Sequence, residues 1–438
     1  MNVIRKVTTL GAGALVCSMV LASCSGSGSG SGVTAAEEKP SSFEGELNLL
    51  IGGDAPQGED PLVASFEADN PDLDVNAEYI PVIAWEEFFA AVQTRLAGGA
   101  KYDLIYLPTE GEKLFVSKQL VAPLDSWLDR DDAELQEFYA DANPSILEAA
   151  KRLGSDDDQT YYLPFIFNTM GMYLNKSVFE EAGVPLPDPD WTWDDFRATC
   201  EQLSGAQSLE YCFGASPEFF AGIEPWLTTN GANVLDADWK TATADTPEAI
   251  ESVSFVRGLV EDGLAPVPGG EYDAAALFHQ DKLAMVGGGA WITSQILGAG
   301  ASLDDMAIVP WPQNAQHGSP VGWGAWGMMR DAANPEAAWE FIKSMLSPEM
   351  QRTIGEQRVN GAIPVLNSAV DSAVEVNPEG YRYLFDALDY ATPVPGPSAA
   401  ALVQQSTVET YTNILTGSVS PEEGMAALQQ KLAEAVDE

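Results

Sequence analysis

The chain has 438 residues, and 66 Asp and Glu against 21 Lys and Arg give it a formal net charge of −45. A surface this acidic repels nucleic acid and anionic lipid headgroups, which excludes both as expected partners. A folded body of roughly 390 residues is too long for one hydrophobic core, so two lobes are expected.

The first 23 residues are typical of an export signal. Arg5 and Lys6 form a basic start, and the uncharged stretch 7–22 follows as the apolar region. That stretch is short and rich in small residues, which fits a membrane span poorly. Residues 1–23 are therefore predicted to be a targeting signal that is not part of the fold.

The sequence "LASC", ending at Cys24, resembles the lipobox of bacterial lipoproteins. The resemblance implies that Cys24 becomes the mature N-terminus and carries a lipid, which anchors the protein at the outer face of the cytoplasmic membrane. The Gly/Ser run that follows predicts a flexible tether over residues 24–43. An ordinary secretory signal and a single membrane-spanning anchor are the alternatives.

Strand-like and helix-like segments then alternate. Apolar or alternating segments predict strands over 45–54, 73–81 and 102–108, and helical spacing with Asn-Pro or Gly stops predicts helices over 60–71 and 84–100. This order is typical of βαβ units in a doubly wound α/β sheet.

Later helices are predicted from their capping residues. Thr192 is followed three residues later by Asp195, as in a capping box. Asn-Pro-Glu or Ser-Pro-Glu predicts helix starts in the segments 334–346, 347–351 and 420–432. In the first of these, the helical spacing places Trp339 on a core-facing side.

The cysteines and histidines suggest no metal or redox chemistry. Cys200 and Cys212 remain once the N-terminal segment is set aside, and in an oxidising compartment a disulfide between them is expected. His279 and His317 lie far apart with no cysteine beside them, so no transition-metal site is expected. No cofactor is expected either.

Three stretches carry a resemblance to a known family. They are "YYLPFIFNTMGMYLNKSVFEEAGVPLPDPDWTWDDF" (161–196), "LFHQDKLAMVGGGAWITSQI" (277–296) and "MAIVPWPQNAQHGSPVGWGAWGMM" (306–329). In this order they resemble the family 1 extracellular solute-binding proteins, the binding components of carbohydrate ABC importers. The resemblance extends from about residue 44 to the C-terminus.

The resemblance implies an α/β fold of the two-lobed periplasmic-binding-protein type (class II), in which each lobe is a sheet flanked by helices and the ligand cleft lies between the lobes. It assigns 44–163 and 322–362 to lobe 1, and 164–321 and 363–438 to lobe 2. It places the hinge near Pro164, near Gly322 and near residues 362–364.

A sugar cleft needs aromatic rings for the apolar sugar faces and planar polar groups for the hydroxyls. Five residues of these kinds follow predicted strands, where the ligand of an open α/β sheet binds: Asp54, Thr109, Glu110, Asn168 and Trp291. All of these except Thr109 align with ligand-contacting positions of maltose-binding relatives. Asp54 and Glu110 could instead cap helices or face water, and Asn168 could satisfy the backbone.

Other candidates are less specific. Trp323 and Trp326 alternate about a predicted hinge, so one should face the cleft and the other the core, and the sequence leaves open which. The remaining candidates are Trp85, Phe219, Phe220, Trp226 and Arg358. Trp85 could equally be the first core residue of its helix. Residues 399–401 are alanines where maltose-binding relatives have a stacking aromatic residue, so the sugar is left open.

The resemblance implies a monomeric binding protein without enzymatic activity, which captures a carbohydrate by lobe closure and delivers it to the ABC permease subunits in the membrane. The alternative is a surface-anchored glycoside hydrolase. Such an enzyme needs two opposed carboxylates, which 66 acidic residues could supply. The sequence shows neither an eightfold strand–helix repeat nor a Gly-x-Ser-x-Gly motif, and this disfavours a hydrolase.

Overall fold

The computed structural model describes residues 32–53, 55–56, 60–82, 84–269 and 272–437, without the side chain of Asn360. The predicted export signal, Cys24 and Asp54 lie outside the described residues. Within these ranges, no helix has both the length and the apolar character needed to cross a membrane.

The described strands form two sheets. In chain order they are β1 (Gly45–Gly52), β2 (Leu73–Ile80), β3 (Leu104–Pro108), β4 (Pro164–Thr169), β5 (Gly171–Asn175), β6 (Tyr211–Phe213), β7 (Leu283–Gly288), β8 (Met306–Pro310), β9 (Ser319–Met328), β10 (Ile363–Pro364) and β11 (Ala391–Pro393). The larger sheet has the order β10-β4-β9-β3-β1-β2, with β11 also paired to β9, and the smaller has the order β6-β7-β5-β8.

Helices flank both sheets. In chain order the described α-helices are α1 (Pro61–Asp69), α2 (Trp85–Ala97), α3 (Thr109–Ser117), α4 (Asp125–Arg130), α5 (Asp132–Asp141), α6 (Pro144–Gly154), α7 (Lys176–Ala182), α8 (Trp193–Leu203), α9 (Glu224–Thr228), α10 (Pro247–Glu261), α11 (Ala274–His279), α12 (Trp291–Gly298), α13 (Pro335–Met345), α14 (Pro348–Gln357), α15 (Asn367–Glu375), α16 (Arg382–Asp386), α17 (Ala400–Leu415) and α18 (Pro421–Asp437). A short π-helical turn, Phe219–Ile223, precedes α9.

The predicted βαβ order of the first hundred folded residues is confirmed. β1 pairs in parallel with both β2 and β3, and α1 and α2 make the crossovers. Every residue of β3 is buried, as expected for a central strand covered by helices on both faces. The alternating β2 lies at the sheet edge and keeps polar residues exposed. The predicted α/β fold class is therefore confirmed, with two helix-flanked sheets.

The three predicted hinge positions lie in neighbouring strands of the larger sheet. Pro164 begins β4, Gly322 lies within β9, and residues 362–364 include β10. From β4 the chain passes through Met170 alone into β5 of the smaller sheet. The Met170 N–H donates to Ser319 Oγ at the start of β9 (2.8 Å), so two of the chain crossings are bonded to each other.

The capping predictions hold for most helices. Thr192 and Asp195 form a capping box at the start of α8, and Ser347 accepts a hydrogen bond from the backbone of Met350 at the start of α14. Asn334 precedes α13, but its side chain does not cap the helix and donates to the Glu44 carbonyl (3.1 Å). The Asn-Pro pattern therefore predicts the helix start correctly, although the cap bond is absent.

A disulfide and a buried hydrogen-bond network join elements that are separate in the chain. Cys200 on α8 and Cys212 on β6 form a disulfide. Trp339 on α13 is fully buried, as its spacing predicts, and its Nε1 donates to Asp131 Oδ2 (2.7 Å). Asp131 also accepts hydrogen bonds from Arg130 (2.7 Å) and Lys343 (2.8 Å). Burial alone would raise the pKa of Asp131, but these three donors outweigh it and hold the pKa well below the usual range.

Residues 32–39, within the predicted tether of 24–43, lie on the folded body; we call them the N-terminal strap. Its hydrogen bonds and ion pairs run from Ala35 to Ser126 (2.9 Å), from Ala36 to Glu336 (2.7 Å) and from Lys39 to Glu134 (3.0 Å) and Glu340 (3.2 Å). The N-terminal strap is thus bonded to α4, α5 and α13, and this part of the predicted tether is not free.

Candidate functional site

The start of α3 lies directly after β3 and is fixed by Thr109. The Thr109 hydroxyl accepts a hydrogen bond from the Trp323 N–H (2.7 Å) and donates to the Trp323 carbonyl (3.1 Å). Thr109 is 1% exposed, and its hydroxyl is used within the protein. Its role in this structure is therefore to position the carboxylates of α3 against β9.

Two glutamates follow Thr109 on α3, and both are buried. Glu110 is 4% exposed, and burial raises its pKa to about 7 although its own backbone N–H favours the charged form. Glu112 is 1% exposed, and its Oε2 accepts a hydrogen bond from Trp323 Nε1 (3.0 Å) while Oε1 has no partner. Burial raises the pKa of Glu112 as well, and the Glu110 charge adds to this effect.

A third carboxylate comes from α9. Glu224 is fully buried, and neither of its oxygens has a hydrogen-bond partner. Burial raises its pKa to about 8; the nearby Asn233 side chain favours the charged form, and the Glu110 charge opposes it. We call Glu110, Glu112 and Glu224 the carboxylate cluster. The sequence analysis missed Glu224. The pattern that could have indicated a buried carboxylate is a single acidic residue between the apolar residues Ile223 and Trp226.

Aromatic rings surround the same end of β9. A Cβ on Gly324 would overlap the Tyr106 hydroxyl, and the Tyr106 ring centroid lies 6.1 Å from that of Trp85. A Cβ on Gly322, two residues earlier on the same face of β9, would lie 3.2 Å from the Phe220 ring. The glycines leave room for the rings of both neighbours.

The Phe220 ring in turn lies 6.0 Å from the Trp291 ring at the start of α12. We call Trp85, Tyr106, Phe220 and Trp291 the aromatic rim. Trp85, Phe220 and Trp291 are only partly buried, so their rings retain surface for a ligand. Tyr106 was not among the predicted site residues.

Asn168 positions Trp291. Its Oδ1 accepts a hydrogen bond from the Ala290 N–H (2.9 Å), and its Nδ2 donates to the Gly361 carbonyl (3.3 Å). Gly361 has a φ of +56°, and a Cβ there would lie 2.6 Å from the Trp291 Cα. Only glycine accommodates both the left-handed backbone and this close approach. The side chain of Asn168 thus joins β4, α12 and the turn before β10.

The loop before α17 lies against the start of α3. A Cβ on Gly396 would lie 2.7 Å from the Thr109 carbonyl oxygen and 2.9 Å from the Glu110 Cα. One turn into α17, Gln404 is 5% exposed and its Nε2 has no hydrogen-bond partner. This donor was not foreseen from the sequence, because a glutamine within a polar "QQST" segment reads as exposed.

Four predicted site residues are not part of the aromatic rim or the carboxylate cluster. Trp226 is 1% exposed and lies among the rings of Trp193, Phe213 and Trp311 in the core of the smaller sheet. Trp326 is 2% exposed, and its ring contacts Tyr106, Phe165 and Phe341. Phe219 is buried, and Arg358 donates to the Val376 carbonyl (2.6 Å). Of the two tryptophans on β9, only Trp323 bonds to the carboxylate cluster.

The aromatic rim and the carboxylate cluster thus meet at strand ends, where ligands bind in α/β folds. Residues 52–352 match the sequence model of the bacterial extracellular solute-binding proteins. The chain belongs to this family.

Known solute-binding proteins resemble this one over most of its length. The multiple sugar-binding protein of Streptococcus mutans is 23% identical over 52% of this chain and 53% of its own. The sn-glycerol-3-phosphate-binding periplasmic protein of Escherichia coli is 20% identical over 80% of this chain and 78% of its own. The ABC substrate-binding protein of Listeria monocytogenes solved with cycloalternan has a TM-score of 0.78 at 22% identity, covering 90% and 99% of the two chains.

A polar cavity of about 360 Å³ adjoins the site of this solute-binding protein. Its lining includes Arg152, Thr228, Asn233, Trp239 and Gln316. Asn233 also lies beside the Glu224 carboxylate, so the cavity and the carboxylate cluster are neighbours. In the described part of the chain, no group of three or more His, Cys, Asp or Glu side chains is arranged to hold a metal ion.

The raised pKa of Glu224 makes the stability of this solute-binding protein depend on pH. The unfolded chain loses this proton near pH 4.5, whereas the folded chain holds it to about pH 8, so the stabilising effect of the bound proton is lost as the pH rises through this window. We expect Glu224→Gln to stabilise the protein more at pH 9 than at pH 5, by about 4 kcal/mol. Urea unfolding at both pH values measures this difference.

Glu349→Gln, at an exposed position on α14, is the matched control and should show the same small effect at both pH values. An equal gain from Glu224→Gln at pH 5 and pH 9 would contradict the assigned environment of Glu224.

Proposed function

We propose that the protein is the extracytoplasmic substrate-binding component of an ABC importer, and that it captures a sugar or oligosaccharide and delivers it to a membrane permease. The observation that carries the proposal is the aromatic rim beside buried polar groups that lack partners. Aromatic rings stack on the apolar faces of sugars, and carboxylates and amides bond the hydroxyls. The sugar-binding relative and the cycloalternan complex support the same substrate class.

The proposed mechanism is closure of two lobes on the ligand. The lobes follow the predicted boundaries, with 44–163 and 322–362 in lobe 1 and 164–321 and 363–438 in lobe 2. Glu110 and Trp85 then belong to lobe 1, and Glu224, Phe220 and Trp291 to lobe 2. A sugar that contacts both sets favours the closed state by contacts that only closure allows.

The unpaired polar groups indicate where the sugar would bind. Glu224 has two free acceptor oxygens, Glu112 has one, and Gln404 has a free donor. Buried groups of this kind carry a desolvation cost that a ligand hydroxyl can remove. The polar cavity beside Asn233 offers room for part of a longer ligand.

A thermal-shift screen of the protein against mono- and oligosaccharides tests the proposal, with chromatography of each sugar after overnight incubation. A sugar that binds only the folded state raises the melting temperature and is recovered intact. Cleavage of the sugar into smaller products would refute the transport function and support the glycoside hydrolase alternative. No shift with any sugar would refute the sugar class.

We further propose that Cys24 carries a lipid and holds the protein, as a monomer, near its permease. Labelled palmitate fed to cells expressing the gene should be incorporated into the protein, and Cys24→Ala should abolish the label and release the protein into the medium. Cys200→Ala is the control because its cysteine lies in the folded body. A label that persists in Cys24→Ala would contradict the lipid site.

A further inference from the structure

An ion pair joins two segments that the predicted boundaries assign to different lobes. Arg152, near the end of α6, donates through Nη1 to Asp238 Oδ1 (2.5 Å) and to the Ala237 carbonyl (3.3 Å). Arg152 lies within 44–163, the first part of lobe 1, and Asp238 lies within 164–321, the first part of lobe 2. We call these two contacts the Arg152–Asp238 brace.

The Arg152 side of the brace is held by the larger sheet. A Cβ on Gly154, the last residue of α6, would lie 3.4 Å from the Tyr162 ring. A Cβ on Gly327 of β9 would lie 3.3 Å from the same ring. Tyr162 therefore fills the space between the end of α6 and the larger sheet.

The Asp238 side of the brace is held by helices of the smaller sheet. Four residues after Asp238, the Ala242 carbonyl accepts a hydrogen bond from Gln429 of α18 (2.9 Å). α18 packs against α10, and Phe255 of α10 stacks on Trp193 beside the smaller sheet. The brace thus connects elements that belong to different sheets.

A fixed turn presents the acceptors of the brace. Asp236 Oδ1 accepts hydrogen bonds from the backbone N–H groups of Lys240 (2.8 Å) and Thr241 (3.1 Å), and the Asp236 carbonyl accepts one from the Trp239 N–H (2.9 Å). Trp239 has a φ of +59°, which is unfavourable for a bulky residue, but its side chain is buried. The turn therefore holds Asp238 in place without help from Arg152.

The aromatic rim lies on one face of the hinge strand β9. A Cβ on Gly322 would lie 3.2 Å from the Phe220 ring. Asn168, opposite Gly322 in β4, accepts a hydrogen bond from the Ala290 N–H beside Trp291 (2.9 Å). The side of β9 toward which Gly322 faces is therefore the side of the sugar site.

The brace lies on the opposite side of β9. Trp323, the next residue, faces away from the rim because successive strand residues point to opposite faces. Trp323 Nε1 donates to Glu112 Oε2 (3.0 Å), and that oxygen lies 3.6 Å from the position of a Cβ on Gly154. Gly154 is two residues from Arg152 on α6, so α6 and the brace lie behind β9 as seen from the rim.

We propose that the Arg152–Asp238 brace holds the two lobes apart, and that a sugar must break it to close the cleft. The inference rests on the closure mechanism of the proposed function. When two bodies turn about strands that run between them, groups on one side approach each other and groups on the other side separate. Closure at the aromatic rim therefore pulls Arg152 away from Asp238.

The brace makes the affinity for sugar depend on residues that do not contact the sugar. For a ligand that binds the closed state, the apparent Kd is the intrinsic Kd divided by the fraction of closed molecules. Removing the brace raises this fraction. The side chains of Arg152 and Asp238 are 46% and 67% exposed, and pairs this exposed are weak, so we expect an effect of about three- to fivefold.

Titration calorimetry of the protein with cellobiose, with maltotetraose and with each sugar that raises the melting temperature in the thermal-shift screen tests the proposal. We expect Arg152→Ala to bind sugar about three- to fivefold more tightly than the wild type. Asp238→Ala should have a smaller effect, because Arg152 keeps the Ala237 carbonyl. The double variant should bind no more tightly than Arg152→Ala, since both changes remove the same contact.

The matched control is an ion pair within one lobe. Lys431 on α18 pairs with Glu409 on α17 (3.4 Å), and these side chains are 52% and 63% exposed. Lys431→Ala changes the net charge as Arg152→Ala does and should bind sugar as the wild type does. Added sodium chloride screens the brace, so it should tighten sugar binding more in the wild type than in Arg152→Ala.

The outcomes separate the brace from the proposed function. Equal affinities of the wild type and Arg152→Ala overturn the brace and leave the sugar-binding function intact. Weaker binding by Arg152→Ala also overturns the brace, and would indicate that Arg152 contacts a sugar in the polar cavity.

X-ray scattering of the protein without sugar tests the brace independently of any ligand. Arg152→Asp places two like charges at the contact and should lower the radius of gyration, because repulsion behind β9 favours closure. If no sugar binds, the proposed function fails and this measurement still decides the brace. An unchanged radius of gyration in Arg152→Asp overturns it.

Discussion

Replacing Trp291 with alanine is expected to weaken sugar binding about 50-fold, because a stacking tryptophan in a binding site contributes about 2–3 kcal/mol. Trp291 begins α12, is only partly buried, and lies 6.0 Å from the Phe220 ring. Asn168 and Gly361 hold its backbone in place. The ring is thus fixed by its own segment while part of its surface stays open.

Titration with the sugar found in the thermal-shift screen measures this loss. Tyr139→Ala is the matched control, since Tyr139 is an exposed aromatic residue on α5, outside the site. Trp291→Phe should recover part of the affinity because it restores a stacking ring. If Trp291→Ala binds the sugar as well as the Tyr139 variant does, Trp291 is not a stacking residue.

Replacing Asp131 with alanine is expected to lower the free energy of unfolding by about 3 kcal/mol, because it leaves buried partners uncompensated. Asp131 is 3% exposed and bonds to Arg130, Lys343 and Trp339. Lys343 keeps Glu134 (2.6 Å) and Glu340 (3.1 Å), which limits the loss, whereas Trp339 Nε1 loses its acceptor.

Urea unfolding at pH 7 measures this loss. The control is Asp331→Ala, which removes an ion pair to Lys101 in which both side chains are more than half exposed, and such pairs contribute little. A loss for Asp131→Ala no greater than that of the control would show that the buried network does not stabilise the fold.

Local patterns were enough to predict much of the fold. Apolar strand-like segments that alternate with segments of helical spacing predict the order β1-α1-β2-α2-β3. Thr192 and Ser347 predict the starts of α8 and α14 at the positions found in the structure. These signals lie within one turn or one strand of the chain. Asn334 shows their limit, because its side chain is drawn to the Glu44 carbonyl on a distant segment.

The candidate site was only partly predictable, because burial is a long-range property. The strand period places Trp323 and Trp326 on opposite faces of β9, but the helices packed on each face decide which one reaches the carboxylates. Trp226 is of a residue type common in sugar-binding sites, but it lies in the core. Glu224 and Gln404 become candidates only once the fold shows that they are buried without partners.

The one-residue junction at Met170 has a mechanical consequence for closure. Met170 joins β4 to β5, and its N–H is bonded to Ser319 at the neighbouring crossing, so we expect rotation of one lobe to pivot there. Displacement grows with the length of the lever arm from that pivot. Asn168, two residues from Met170, is therefore expected to move little during closure, whereas the helices farthest from β4 and β9 are expected to move most.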